Sequence, residues 1–204
     1  MQQVPVQFLY DFGSPNAYLS HRVIPAIEQR TGVKFEYVPI LLGGLFKMAN
    51  NRSPVEAFAD VKNKLAYESL EMKRFIRKHG IPAYKHNPHF PVNTLQVMRG
   101  AAAAAADGAL AAYNEVVFKA MWEQGLKMDD PQVIVDTLNS AGLDGARTLQ
   151  RAQDPEVKAQ LLANTQNAFD RGAFGSPTYF VGDEIYFGKD KLGEVEAEIL
   201  RPRG

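Results

Sequence analysis

Ser14 stands where chemistry is easiest to place. It follows an apolar run over residues 4–12 (VPVQFLYDF) and forms part of Gly13-Ser14-Pro15. Pro15 suits the first position of a helix, and Ser14 suits its N-cap, accepting a backbone N–H. The hydroxyl and nearby N–H groups then face the positive end of the helix dipole, where a thiolate, carboxylate or phosphate is stabilised. The same residues equally describe a plain capping serine, and nothing local separates the two readings. Ser176-Pro177 is the second feature. A proline just ahead of Thr178-Tyr179-Phe180-Val181 belongs at a strand start or edge. If that peptide is cis, the Ser176 N–H and C=O turn outward to meet an extended ligand. If it is trans, the proline only opens an edge strand.

Other chemistries find less support. The histidines are His21, His79, His86 and His89, with no H-x-x-x-H or H-E-x-x-H spacing. A metal at His86 and His89 would need a carboxylate from elsewhere, so no metal is expected. His21 and His79 are expected at the surface. The chain has no cysteine, which excludes a disulfide scaffold, a thiolate-ligated metal and a cysteine nucleophile. Any thiol chemistry must use a thiol carried by a ligand. No phosphate-binding loop, dinucleotide fingerprint or hydrolase serine elbow is present. Lys plus Arg is 23 and Asp plus Glu is 23, a balance that argues against non-specific nucleic-acid binding. No apolar run approaches the roughly 18 residues of a membrane span. Met1-Gln2-Gln3-Val4-Pro5 lacks a basic and apolar leader pattern, so a soluble cytoplasmic protein is expected.

The elements that must position Ser14 and Ser176 follow from periodicity and breakers. Residues 4–12 read as a buried strand, and the helix from Pro15 to Thr31 places Tyr18, Leu19, Val23, Ile24 and Ile27 on one face. Residues 33–40 (VKFEYVPI) read as a second strand, completing a crossover unit. Helices are predicted over 54–79, 93–106, 109–124, 131–140, 144–151 and 155–171, punctuated by glycines and Pro155. Alanines 101–106 predict a helix packed closely on another. Residues 178–181 and 184–187 read as a hairpin around Gly182-Asp183, and 191–201 as a last amphipathic helix. The expectation is an α/β fold: a mixed four-stranded sheet whose halves flank a large all-helical insertion.

Together, Asp11-Phe12-Gly13-Ser14-Pro15 with Tyr18-Leu19, and Phe174-Gly175-Ser176-Pro177-Thr178 with Gly182-Asp183-Glu184, resemble the 2-hydroxychromene-2-carboxylate isomerases. Those enzymes are relatives of kappa-class glutathione transferases and of the disulfide oxidoreductase DsbA. The resemblance implies a thioredoxin-like domain over 1–48 and 173–204, with an inserted helical domain over 49–172. It implies glutathione as cofactor and a small aromatic hydroxy or keto acid as substrate, as in aromatic catabolism. A homodimer falls within its range; nucleic acid and membrane do not.

In this family a serine replaces the first redox cysteine, which agrees with the absence of cysteine here. Ser14 matches the serine that hydrogen-bonds the sulfur of glutathione. Ser176, ahead of the family's cis-proline at Pro177, matches the residue whose backbone pairs with the cysteinyl part. Phe187-Gly188-Lys189-Asp190 matches the segment holding the γ-glutamyl end, and Lys64 resembles the transferases' glutathione-binding lysine. Lys47, Asn51 and Arg52 fall in the loop that contacts the aromatic acid, and His89 falls near a further substrate contact. Leu41-Leu42-Gly43-Gly44 and residues 87–93 depart from the isomerases' pattern, which points to an aromatic pocket of different shape. A kappa-like transferase that conjugates glutathione to electrophiles is the alternative implied function, and a non-catalytic scaffold a third.

Overall fold

The computed structural model describes residues 4–202; residues 1–3 and 203–204, at the outer ends of the expected thioredoxin-like segments, lie outside the described residues. The strands are β1 (Val6–Tyr10), β2 (Phe35–Pro39), β3 (Thr178–Val181) and β4 (Glu184–Phe187), in the order β2-β1-β3-β4. β1 pairs parallel to β2, with Val6 opposite Phe35, and antiparallel to β3, with Val6 opposite Val181. β3 and β4 form the expected hairpin, turning at Gly182 with a left-handed φ of 61°. All strands among the described residues belong to this one sheet, which is the thioredoxin-like architecture with most of its helices inserted between β2 and β3.

The helices are α1 (Pro15–Thr31), α2 (Leu42–Met48), α3 (Pro54–Ala57), α4 (Lys64–His79), α5 (Leu95–Ala106), α6 (Leu110–Trp122), α7 (Pro131–Ser140), α8 (Gly145–Arg151), α9 (Pro155–Asp170) and α10 (Leu192–Leu200). Among the described residues no helix is long and apolar enough to cross a membrane. α1 buries Tyr18, Leu19, Val23, Ile24 and Ile27, as its periodicity predicts, and ends at Gly32, whose φ of 72° suits glycine.

Alternation along β1 splits the core. Phe8 and Tyr10 face one side, where they join the aromatic and aliphatic residues of α1, α5, α6 and α10. Leu9 faces the other, with Ile40, Leu45, Ala168 and Phe180. The Tyr10 hydroxyl, buried on the first side, donates to Asn114 of α6 at 2.6 Å, which ties the sheet to the helical block. In the alanine run, Ala101, Ala102, Ala103 and Ala104 are buried. At neighbouring Gly100 a β-carbon would run into the Tyr113 side chain, so glycine permits this close approach.

Three sequence expectations are corrected. The predicted helix over 54–79 is two helices, α3 and α4, separated at 58–63, where Asn63 is left-handed at φ 67°. Val55, Phe58 and Val61 remain exposed, so no buried face holds a continuous helix across this stretch. Conversely, Lys47 lies in a helix, α2, rather than in a loop. Two glycines weaken that helix locally, but burial of Leu45 and a carboxylate bond to the Leu42 N–H secure it. His21 is not a surface residue: its side chain is 12% exposed. Its ring stacks on Phe118 and hydrogen-bonds Tyr37 at 2.9 Å and Glu115 at 3.0 Å.

Candidate functional site

The end of β1 delivers Asp11, Phe12 and Gly13 to the start of α1. Ser14 adopts the extended N-cap conformation there, and its Oγ accepts from the Ala17 N–H at 3.2 Å. The same hydroxyl donates to the carbonyl of Ser176 at 2.9 Å. Ser176 and Pro177 are joined by a cis peptide, as expected; Phe90–Pro91, which carried no such expectation, is cis too. Ser14 and Ser176 are both buried, and Asp11 links them: its carbonyl accepts from the Ser14 N–H, and its N–H donates to the Ser176 hydroxyl.

Asp11 has a second role that sequence reasoning missed. Its carboxylate is buried and receives donors from the starts of three helices. Oδ1 accepts from the Gly13 N–H at 2.8 Å, ahead of α1, and from the Thr94 hydroxyl at 2.7 Å, at the N-cap of α5. Oδ2 accepts from the Leu42 N–H at 2.8 Å, the first residue of α2. Burial pushes the Asp11 carboxyl above its usual range, against the three donors that favour the charged form. Asp11 sits inside the motif around Ser14, but its partners lie far along the chain and leave no local signature.

β4 completes the floor. The Gly188 N–H donates to the Pro177 carbonyl at 2.9 Å, which brings Phe187 and Gly188 beside the Ser176–Pro177 corner. Phe187 packs on Phe174 at 4.5 Å, and both rings are 43% exposed. A β-carbon at Gly175 would lie 2.7 Å from the Phe187 ring, so only glycine admits this contact. Asn51 reaches the same corner, donating its side-chain amide to the Phe174 carbonyl at 2.9 Å.

The remaining candidate residues sit apart from this hydrogen-bonded network, save Arg52, which joins it through Asn51. Lys64 opens α4, pairs with Glu68 and lies 5.2 Å over the Phe58 ring. Arg52 and His89 are exposed; the Arg52 N–H donates to Asn51 and the His89 N–H to buried Asn87. Lys189 is buried, with its ammonium 2.7 Å from the exposed carboxylate of Asp190 and 5.0 Å over Phe75. Both line a cavity of about 410 Å³ between α1, α4 and α10, floored by Val23, Ile27 and Phe75. The helix expected from 191 starts at Leu192, preceded by a 3-10 turn over Lys189–Lys191. His79 lines the same cavity, half-buried rather than at the surface, and burial, then Lys78 and Arg30, hold its imidazole below the usual range. Among the described residues no cluster of three His, Asp or Glu side chains could hold a metal.

Residues 5–200 match the family model of the DSBA-like thioredoxin domain. The chain belongs to this family. Among its relatives, a 2-hydroxychromene-2-carboxylate isomerase of Pseudomonas putida is 29% identical over 198 residues, 96% of this chain and 94% of that enzyme. Human glutathione S-transferase kappa 1 is 26% identical over 213 residues, 96% of this chain and 90% of the relative. A solved 2-hydroxychromene-2-carboxylate isomerase superposes with a TM-score of 0.81 at 28% identity, covering 94% of this chain and 92% of the other. The chain has no cysteine, so it cannot exchange disulfides through its own side chains.

Proposed function

We propose that this DsbA-like protein is a glutathione-dependent isomerase of 2-hydroxychromene-2-carboxylate or a similar aromatic hydroxy or keto acid, serving aromatic catabolism. The observation that carries the reading is the meeting of Ser14 with Ser176 at the N-terminus of α1, in a chain with no cysteine. A hydroxyl replaces a redox thiol where the fold concentrates anion-stabilising donors, so the reacting sulfur has to arrive on a ligand. Similarity to three 2-hydroxychromene-2-carboxylate isomerases supports the substrate class.

The residues present fit glutathione. The Ser176 carbonyl and the Ser14 hydroxyl satisfy each other, while the Ser176 N–H is not taken up by the hydrogen bonds of its own loop. That N–H is available to an extended peptide-like ligand. Glutathione bound here would supply the thiol for reversible addition to a conjugated aromatic keto acid. The chain's residues favour that chemistry in three ways. Ser14 turns its hydroxyl from Ser176 toward the sulfur and, with the α1 N-terminus, stabilises the anion. Pro177, Phe187 and Gly188 form the wall against which the tripeptide lies, while Lys64, Lys189 and Asp190 meet its charged ends. Lys47, Asn51, Arg52 and His89 take the aromatic acid, with a cation on its carboxylate and on the developing enolate.

A kappa-like transferase is the second reading, favoured by the similarity to human glutathione S-transferase kappa 1. Turnover of 2-hydroxychromene-2-carboxylate with and without glutathione tests the first reading, and conjugation of a chlorodinitrobenzene-type acceptor tests the second. Isomerisation that needs glutathione and regenerates it supports the first; conjugation alone overturns it. Retention of neither activity nor affinity for immobilised glutathione overturns both.

A further inference from the structure

The buried Asp11 carboxylate is the unusual charge of this molecule. Two of its three donors are backbone N–H groups, which cannot accept, so the donor set favours the charged carboxylate against the burial that pushes its pKa up. The cations of the elements packed around it, Arg22 and Arg30 of α1, Lys47 of α2 and Arg99 of α5, form no ion pair with it among the described residues. α1, α2, α5 and the loop ahead of β3 offer the Gly13 and Leu42 N–H groups and the Thr94 hydroxyl to the carboxylate, and the Ser176 hydroxyl to its backbone. Among the described residues no Lys, Arg or His ion-pairs with it, and the adjacent Tyr10 is kept neutral by burial. The carboxylate therefore takes up donors at the same helix start that would hold an anion at Ser14, and it repels a second negative charge there.

We propose that Asp11 is a positioning residue that also limits how strongly the Ser14 site stabilises a thiolate. It fixes Ser14 and Ser176 through its backbone, and its charge keeps the thiol pKa from falling far. A reaction in which the sulfur must attack gains from this, at some cost to its later departure, since a thiol of lower pKa leaves faster. Over-stabilised thiolates are poorer nucleophiles, and the best attacking thiol has a pKa near the ambient pH. This purpose rests on the glutathione reading, but the electrostatic claim can be tested without it.

Because the chain has no cysteine, Ser14→Cys introduces a single thiol whose ionisation can be followed by thiolate absorbance. Adding Asp11→Asn to that background should lower the thiol pKa by about one unit, since a nearby like charge has been removed. Adding Thr94→Val instead strips one donor and keeps the charge, so the thiol pKa should stay at or above that of the parent. A purely structural role would move both variants the same way. No fall with Asp11→Asn, or a fall in both, overturns the proposal. If the Asp11→Asn chain does not fold, the Asp11 carboxyl carbon resonance is followed in Ser14→Cys itself. It should shift as the thiol ionises, and a flat trace overturns the proposal. Failure of glutathione to bind would sink the cofactor and leave this result standing.

Discussion

The Ser14 hydroxyl donates to the Ser176 carbonyl at 2.9 Å across a sequence separation of 162 residues. The bond ties the turn after β1 to the corner ahead of β3, beside the pairing that already joins those two strands. It also gives Ser14 two functions, capping α1 and gripping the corner ahead of β3, before any ligand is considered.

Replacing Ser14 with Ala should therefore separate stability from activity. Losing the cap costs about 1 kcal/mol, and the Ser176 bond adds a similar amount, within the 5–15 kcal/mol of an ordinary domain. Turnover should fall further, because a hydrogen bond to a charged sulfur is worth about 1.5–3 kcal/mol, or roughly 10- to 150-fold in rate. The deficit should narrow as pH approaches the free-thiol value of about 8.5, where thiolate forms unaided. Equal rates, with equal thiol pKa for bound glutathione, would leave Ser14 a helix cap alone.

Gly175 gives a steric test of the wall beside Pro177. Its backbone is not left-handed, so Gly175→Ala meets only the Phe187 ring, 2.7 Å from the new methyl carbon. Phe187 is partly exposed and can swing aside, so the stability loss should be modest, about 1 kcal/mol. Glutathione affinity, read by calorimetry, should drop by roughly 3- to 10-fold, about one kcal/mol of lost wall contact. Unchanged affinity would show that Phe187 does not touch the tripeptide.

Much of this arrangement is legible in the sequence, for physical reasons. Strands β1, β3 and β4 and helix α1 carry their own periodicity and breakers, so Ser14 and Ser176 fall at the right junctions from local pattern alone. α2 does not: Leu42-Gly43-Gly44 is a poor helix start, rescued by an Asp11 carboxylate 31 residues earlier. The break between α3 and α4 is equally silent, because it depends on Val55, Phe58 and Val61 finding no partner. His21 looks like a surface residue until Tyr37 and Glu115 arrive from β2 and α6. What sequence misses here is the distant partner, and Asp11 is the case that matters for the site.

Glu115 gathers His21, Arg22 and Lys119 around one carboxylate. The His21 hydrogen bond first, then the two cations, hold its carboxyl well below the usual range, against a burial penalty. A depressed folded-state pKa contributes stability that is fully present above the unfolded value of about 4.3 and is lost as pH falls through the folded value. Glu115→Gln should thus be less stable than the parent at pH 7, by no more than about 1 kcal/mol given the partial exposure of the group. The gap should narrow steadily below about pH 4 in denaturant titrations. A gap that persists unchanged into acid would place the cost in packing rather than charge.

Lys189 and Asp190 allow structure and binding to be pulled apart. Lys189 is buried and its ammonium has Asp190 as ion-pair partner, while the Asp190 side chain is 68% exposed. Removing the carboxylate leaves a buried cation without its counter-charge, so Asp190→Asn should cost more than a typical surface change, about 1–2 kcal/mol after discounting for the solvent on one side. Adding Lys189→Met keeps the packing on Phe75 and removes the orphaned charge, so the double variant should regain most of that stability. Glutathione affinity should not recover with it, because the proposed contacts of Lys189 and Asp190 with the charged ends of the tripeptide are both missing. Melting temperature and calorimetric affinity, measured on the two single variants and the double, form the cycle. If affinity returns with stability, Lys189 and Asp190 act only through the fold, and the γ-glutamyl end must be held elsewhere.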